Sequence, residues 1–184
     1  MKSALIGHTG FVGGNLKTQF DFTDFYNSKN IEEIVGKDYN FIISAATPAL
    51  RWKANQDLIK ADWDTIEKLV GCLKSVSAAR FVLISTVDVY PNKSGVDEDT
   101  EISESDFSEP YGLHRFKLEE FVRKNFKNHT IIRCPQIYGP GVVKGFVYDL
   151  IHDNALDFTH KDSLLQFYHT KNFKKDIDFA IVIS

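Results

Sequence analysis

SALIGHTGFVGGNLKTQ, residues 3–19, decides the fold. Its first five residues are a short apolar run closed by glycine, the pattern of a strand buried on both faces. A helix is predicted from residue 11 to about residue 19. Between the two, Gly7, Gly10 and Gly13 are spaced G-x-x-G-x-x-G. Gly7 permits a tight turn, Gly10 lets the backbone approach a pyrophosphate, and Gly13 lets the helix pack close to the strand. The helix start then offers exposed N–H groups to the phosphates. Glycines also make ordinary turns. Here a strand leads in and a helix leads out, and that context supports dinucleotide binding.

Working outward, the same alternation continues. DFTDFYN (residues 21–27) reads as a second strand, NIEEIVG (30–36) as a short helical segment, and YNFIISAA (39–46) as another buried strand. Residues 57–73 place Leu58, Ile59, Trp63, Ile66, Leu69, Val70 and Leu73 at helical spacing. RFVLIS (80–85) is a strand, residues 111–126 a helix and HTIIRC (129–134) a strand. Strands separated by helical crossovers imply an α/β, Rossmann-type, doubly wound parallel sheet with helices on both faces. The polar, acidic connection over residues 91–110 is long enough to suggest a functional loop. Residues 145–158 read as a helix and turn, and residues 164–184 as a strand leading into a helix. The chain stops in the apolar run FAIVIS, so a further segment is expected beyond it. The expected division is a dinucleotide-binding domain over residues 1–141, with a minimal substrate-binding region and the last strand and helix over 142–184.

Bulk properties bound the function. A chain of 184 residues suffices for one packed domain and part of a second. Its net charge of -3, without blocks of like charge, points to neither a nucleic-acid nor a membrane partner. Cys72 and Cys134 stand far apart, outside any CxxC spacing; buried thiols in a reducing compartment are expected, with no zinc or other metal site. No apolar stretch approaches the roughly 20 residues needed to cross a bilayer, and a cytoplasmic location is expected.

Four motifs in order, GHTGFVGG, STVDVY, YGLHR and RCPQIYGPG, resemble the extended short-chain dehydrogenase/reductase family, whose members include nucleotide-sugar epimerases, dehydratases and reductases. The resemblance covers residues 1–141 well and the rest loosely, and family members are usually longer. It implies that Gly7, Thr9, Gly10, Phe11, Val12 and Gly13 hold a cofactor pyrophosphate. Ala45 and Ala46, in SAATPA, would line its adenosine side. Thr86 would hydrogen-bond a substrate carbonyl, although a hydroxyl there also caps a strand end. Tyr111 matches the catalytic acid/base and Pro135 the loop around the nicotinamide. Gln136 and Tyr138 would lie at the substrate entrance. Phe167 and Tyr168 match a segment returning to the substrate pocket, with aromatic core as the alternative. The helices at 57–73 and 111–126 match a four-helix dimer interface, so a homodimer is expected.

The site's chemistry follows from Tyr111 and Arg115, one helical turn apart on one face. A free phenol titrates near about pH 10, and a fixed cation beside it lowers that value. The family uses a lysine, which also contacts the nicotinamide ribose. Arg115 supplies a permanent charge through a bulkier, planar group. Lys117 sits on another face. His114 is expected to be partly exposed, Glu119 and Glu120 to be solvated, and Trp52 and Trp63 to pack. Asn27, Ser28 and Lys29 follow the second strand where an NAD site carries an acid, and Asp24 lies earlier. These groups suit a 2′-phosphate, so among NAD(P) cofactors NADP is favoured. The implied function is an NAD(P)-dependent oxidoreductase, epimerase or dehydratase acting on a nucleotide-activated sugar. Tyrosine-mediated proton transfer would be coupled to hydride transfer. The alternatives are a non-catalytic dinucleotide-binding sensor or partner protein, and a reductase of a small carbonyl compound.

Overall fold

The computed structural model describes residues 1–49, 51–56 and 58–183, without the side chains of Trp52, Lys53 and Phe158. The expected packing of Trp52 and the first residue of the helix over 57–73, Asp57, therefore lie outside the described residues. Five strands form one parallel sheet: β1 (Ser3–Ile6), β2 (Asp24–Tyr26), β3 (Asp38–Ser44), β4 (Ser77–Thr86) and β5 (His129–Cys134). Their order is β2-β1-β3-β4-β5. The order reverses between β1 and β3, and such a reversal opens a crevice at the carboxyl ends of the strands.

Both faces of the sheet are buried, which is why its strands are nearly continuous apolar runs. On one face Ala4, Ile6, Ile42, Phe81 and Leu83 meet α3 (Ile59–Leu73) and α4 (Pro110–Asn125) through Ile66, Leu69, Leu118 and Val122. On the other, Leu5, Ile43, Val82 and Ile84 meet α1 (Phe11–Lys17) through Leu16. They also meet α6 (Phe173–Ile183) through Phe173 and Ile177.

Several boundaries differ from expectation, each for a local reason. β2 begins only at Asp24, because the Thr23 side chain and backbone, rather than a strand ladder, satisfy Ser3. Ile31–Ile34 is a 3₁₀ turn: Ile31 and Ile34 are buried while Glu32 and Glu33 face water, the three-residue spacing that a 3₁₀ helix eclipses. β3 stops at Ser44, where the Ala45 N–H donates to the Ile6 carbonyl and the chain turns away. β4 begins at Ser77, three residues early, paired with Asp38. A short α2 (Arg51–Ala54) and a strand β6 (Gln136–Tyr138) carry no periodic signal; β6 pairs in parallel with β7 (Phe167–His169). Between them lies α5 (Phe146–His152).

On α3 Ile59 is exposed and Trp63 and Val70 are half-buried, and on α4 Leu113 and Phe121 are half-buried. From residue 60 on, the exposed positions of α3 are Lys60, Ala61, Asp64, Thr65, Glu67, Lys68 and Gly71, and α4 exposes only Lys124 and Asn125. No described helix is long and apolar enough to cross a membrane.

Candidate functional site

The glycine turn sits at the crevice. Gly7 has φ +89°, and a Cβ there would lie 2.4 Å from the Ala45 carbonyl oxygen. A Cβ on Gly13 would lie 2.1 Å from the Gly7 carbonyl oxygen. Both glycines are demanded by backbone packing. Gly10 differs: its Cβ would meet only the Gly7 carbonyl oxygen at an ordinary 3.5 Å, and its φ of -81° and ψ of 170° suit any residue. The space beside Gly10 is left open by the protein itself. Ala45 and Ala46 face the turn from β3, while Thr9 is exposed and Phe11 and Val12 are half-buried.

Asn27, Ser28 and Lys29 follow β2 directly. Asn27 shapes the turn by accepting from the Lys29 N–H at 2.8 Å, and its amide lies 3.2 Å from His8 Nε2 in the glycine turn. Asp24 is engaged elsewhere, accepting from the Tyr39 hydroxyl at 2.6 Å.

Tyr111 and Arg115 do share a face of α4: the guanidinium carbon lies 3.8 Å from the centre of the Tyr111 ring. Arg115 is 2% exposed and forms a bidentate pair with Asp62 of α3, Nη2 to Oδ1 at 2.8 Å, while Nη2 also donates to the Pro48 carbonyl. His114 Nδ1 binds the same carboxylate at 2.7 Å, with its ring 5.2 Å from Trp63. His114 is thus buried and not the partly exposed residue expected. Burial pushes the Asp62 carboxyl up, but the hydrogen bonds of Arg115 and His114 outweigh it and hold it below the usual carboxylate range.

The expected effect on Tyr111 is reversed. Burial raises its pKa; Arg115 opposes this, but the charges of Asp88 and Asp62 reinforce it and the net shift is upward. The cation is real. Its own counter-ion, Asp62, offsets it.

The turn after β4 packs on the same end of α4. The Asp88 N–H donates to Thr86 Oγ1 at 3.1 Å, and a Cβ on Gly112 would lie 2.3 Å from the Asp88 carbonyl oxygen. Asp88 Oδ1 pairs with Arg51 and Lys93, Arg51 also reaches Glu109 at 2.7 Å, and Asn55 accepts from the Tyr111 N–H. Beneath this turn, Glu119 is fully buried rather than solvated. It accepts from Ser85 Oγ at 2.6 Å, Arg133 at 2.8 Å and Arg123 at 3.0 Å. Glu120 is half-buried and pairs with Arg123. Sequence spacing missed Asp62, Glu119 and Asp88; their partners lie up to 53 residues away.

After β5 the chain passes Pro135 into β6. Gln136 is exposed and Tyr138 packs its ring 4.8 Å from His169. Tyr168 does not face this side. It packs against Phe173 and gives its hydroxyl to Asp176 at 2.9 Å, so the aromatic-core alternative describes it. An open cavity of about 490 Å³ lies beside β7, lined by Phe146, Leu150, Leu164 and Phe167.

Among the described residues, two buried side-chain polar atoms have no hydrogen-bond partner: Arg115 Nε and, at the end of β3, Ser44 Oγ. Leaving such a donor unpaired costs about 1–3 kcal/mol, a penalty that a bound ligand can remove. The open space at Gly10 fits the pyrophosphate of a dinucleotide in the crevice. Among the described residues, no three His, Cys, Asp or Glu side chains converge as a metal set.

The sequence profile of the NAD dependent epimerase/dehydratase family matches residues 16–176. The match starts inside α1, so the glycine turn stands on its geometry. No curated protein matches the chain. Among solved structures, MoeE5 in complex with UDP-glucose and NAD has a TM-score of 0.73 at 16% identity, covering 100% of this chain and 72% of that one. The dTDP-4-dehydrorhamnose reductase of Bacillus anthracis in complex with NADP gives 0.71 at 16% identity, with 99% and 71% covered. The UDP-glucuronic acid 4-epimerase of Bacillus cereus, with UDP-glucuronic acid and NAD, gives 0.72 at 18%, with 98% and 73% covered. At these identities the likeness is one of fold.

Proposed function

The chain belongs to the NAD dependent epimerase/dehydratase family, and on that premise we propose that it binds NAD(P) in the crevice and acts on a nucleotide-activated sugar. The observation that carries this proposal is a convergence. The glycine turn after β1 packs on Ala45 and Ala46 after β3, and the Thr86–Asp88 turn after β4 packs on Gly112 beside the Tyr111–Arg115 face of α4, so both turns stand at the carboxyl ends of strands at or next to the switch point. In this scheme Gly7, Gly10 and Gly13 admit the pyrophosphate, and Arg115 Nε lies beside Tyr111 as a free donor for the nicotinamide half. Thr86 Oγ1 orients the substrate oxygen. The nicotinamide, when bound, supplies or accepts the hydride.

Tyr111 Oη handles the proton. A phenol whose pKa is raised keeps its proton at neutral pH, which suits donation to an oxygen gaining negative charge better than abstraction. The proposal therefore favours reduction of a keto-sugar. Absence of a carboxylate at Asn27, Ser28 and Lys29 supports NADP over NAD. The three solved structures bind NAD in two cases and NADP in one.

One observation favours a second reading, a dinucleotide-binding protein without turnover: Asp62 neutralises the cation beside the phenol. Tyr111→Phe separates the two. If Tyr111 moves the proton, the variant loses turnover of keto-sugar nucleotides with NADPH while binding NADPH nearly as before. Turnover that survives the substitution refutes the proton-transfer role, and a wild type without turnover on such a panel favours the second reading.

A further inference from the structure

The segment after β6 spans the crevice. Residues 139–145 contain Gly139, Gly141 and Gly145 at φ +151°, +81° and +89°, backbone that other residues rarely adopt. At one end the Pro140 carbonyl accepts from Asn15 Nδ2 of α1, the helix that follows β1, at 3.0 Å. At the other, Lys144 Nζ donates to the Ala49 carbonyl in the loop that follows β3. The segment therefore bridges the two elements that flank the switch point.

Among the described residues, three other cations around Tyr111 are neutralised. Arg115 pairs with Asp62, Arg51 with Asp88 and Glu109, and Lys93 with Asp88. Lys144 has no carboxylate partner among the described residues; it binds a backbone carbonyl next to Pro48, the carbonyl that Arg115 holds. Lys144 is exposed on the segment, and partial desolvation of its ammonium lowers its pKa with no anion to compensate. The segment is tied to α1, the helix that leaves the glycine turn, so this ammonium and that turn share one crevice.

We propose that Lys144 is a diphosphate-binding residue: on ligand entry its ammonium leaves the Ala49 carbonyl for a phosphate oxygen and draws residues 139–145 down over the crevice. The inference rests on the dinucleotide reading above. Two ligands bring the required chemistry, the pyrophosphate of NADPH and the diphosphate of the sugar nucleotide. Lysine binds phosphate as a point charge, so arginine can replace it, whereas an apolar chain of similar length cannot.

The test is calorimetric titration of the full chain, as wild type, Lys144→Met, Lys144→Arg and Gly10→Ala, with NADPH and with UDP-glucose. Lys144→Met should weaken one ligand by about 10- to 100-fold, the worth of a charge-assisted hydrogen bond, and Lys144→Arg should restore most of it. Loss for NADPH assigns the lysine to the cofactor; loss for UDP-glucose assigns it to the substrate. Unchanged affinity for both in Lys144→Met overturns the inference, while wild-type binding that Gly10→Ala abolishes leaves the proposed function standing. A wild type that binds neither ligand overturns both. Wild-type protein also gives an independent reading through modification of Lys144 by an amine reagent, followed by mass spectrometry. NADPH or UDP-glucose should protect it, and labelling unaffected by either refutes the contact.

Discussion

Gly10 and Gly13 lie three residues apart in one turn, yet alanine at the two positions should have opposite consequences. At Gly13 the new Cβ would sit 2.1 Å from a backbone oxygen and 2.6 Å from its carbon, so α1 must move away from β1. Forced overlap with backbone costs several kcal/mol. At Gly10 the Cβ sits at contact distance in an allowed conformation. The loss of chain entropy in the unfolded state contributes about 0.4–1 kcal/mol in favour of folding. Alanine is a poorer helix N-cap than glycine, which removes a similar amount. Gly10→Ala should therefore fold with a stability within about 0.5 kcal/mol of wild type, a Tm change of about 2 °C or less for a chain of this length. Its NADPH binding should nevertheless be lost, because the methyl fills the space a pyrophosphate needs. Thermal melts and calorimetry on Gly10→Ala and Gly13→Ala check both halves. Equal destabilisation by the two substitutions, or wild-type NADPH affinity in Gly10→Ala, refutes the division of roles.

Two further outcomes follow from the buried charges. Asp62→Ala leaves Arg115 buried without its anion and should cost about 3–5 kcal/mol in urea denaturation, most of it recovered when Arg115→Met is added. Glu119→Ala should cost about 3 kcal/mol, because Arg133 and Ser85 lose their acceptor; a solvated glutamate would cost under about 0.5 kcal/mol. Alkaline pH should also destabilise the fold. Burial pushes the Cys134 thiol up to about 12 from an ordinary 9.0, and burial with a hydrogen bond to Asp176 raises Tyr168 as well. Both are held protonated in the folded state, so the unfolded chain releases these protons first and stability declines as pH rises above about 9. By pH 10.5 Cys134 alone should remove about 2 kcal/mol. Cys134→Ala should delay the onset; identical pH profiles would show that the buried thiol does not set it.

The fold is legible in the sequence because apolar runs and glycines report directly on strands, crossovers and the first turn. SALIG, YNFIIS and HTIIRC are apolar on both faces, which only a sheet sandwiched between helix layers requires. The polar half of the site is not legible in this way. α4 buries Tyr111, Gly112, His114, Arg115, Phe116, Leu118, Glu119 and Val122, so its burial does not follow hydrophobicity. Wedged between α3 and the sheet, it hides charges at nearly every angle, each matched by a partner far away in sequence. Glu119 needs Ser85, 34 residues earlier, and Arg115 needs Asp62, 53 residues earlier. Helical spacing places a side chain on a face; it does not name what waits across from it. β6 and α2 were missed for a different reason, since three- and four-residue elements are shorter than any periodic signal.

The return of α6 to the sheet also sets an order of assembly. Leu5 and Leu16 share a core with Phe173 and Ile177, about 160 residues later in the chain. In the five-stranded sheet every pairing except β1 with β2 joins residues about 40 or more apart, and contacts so distant in sequence close slowly. While the chain emerges from the ribosome, the face of β1, β3 and β4 that α1 and α6 share stays only partly covered until residue 177 has been made. Until then part of its core is uncovered, the state in which partly folded chains aggregate and chaperones bind.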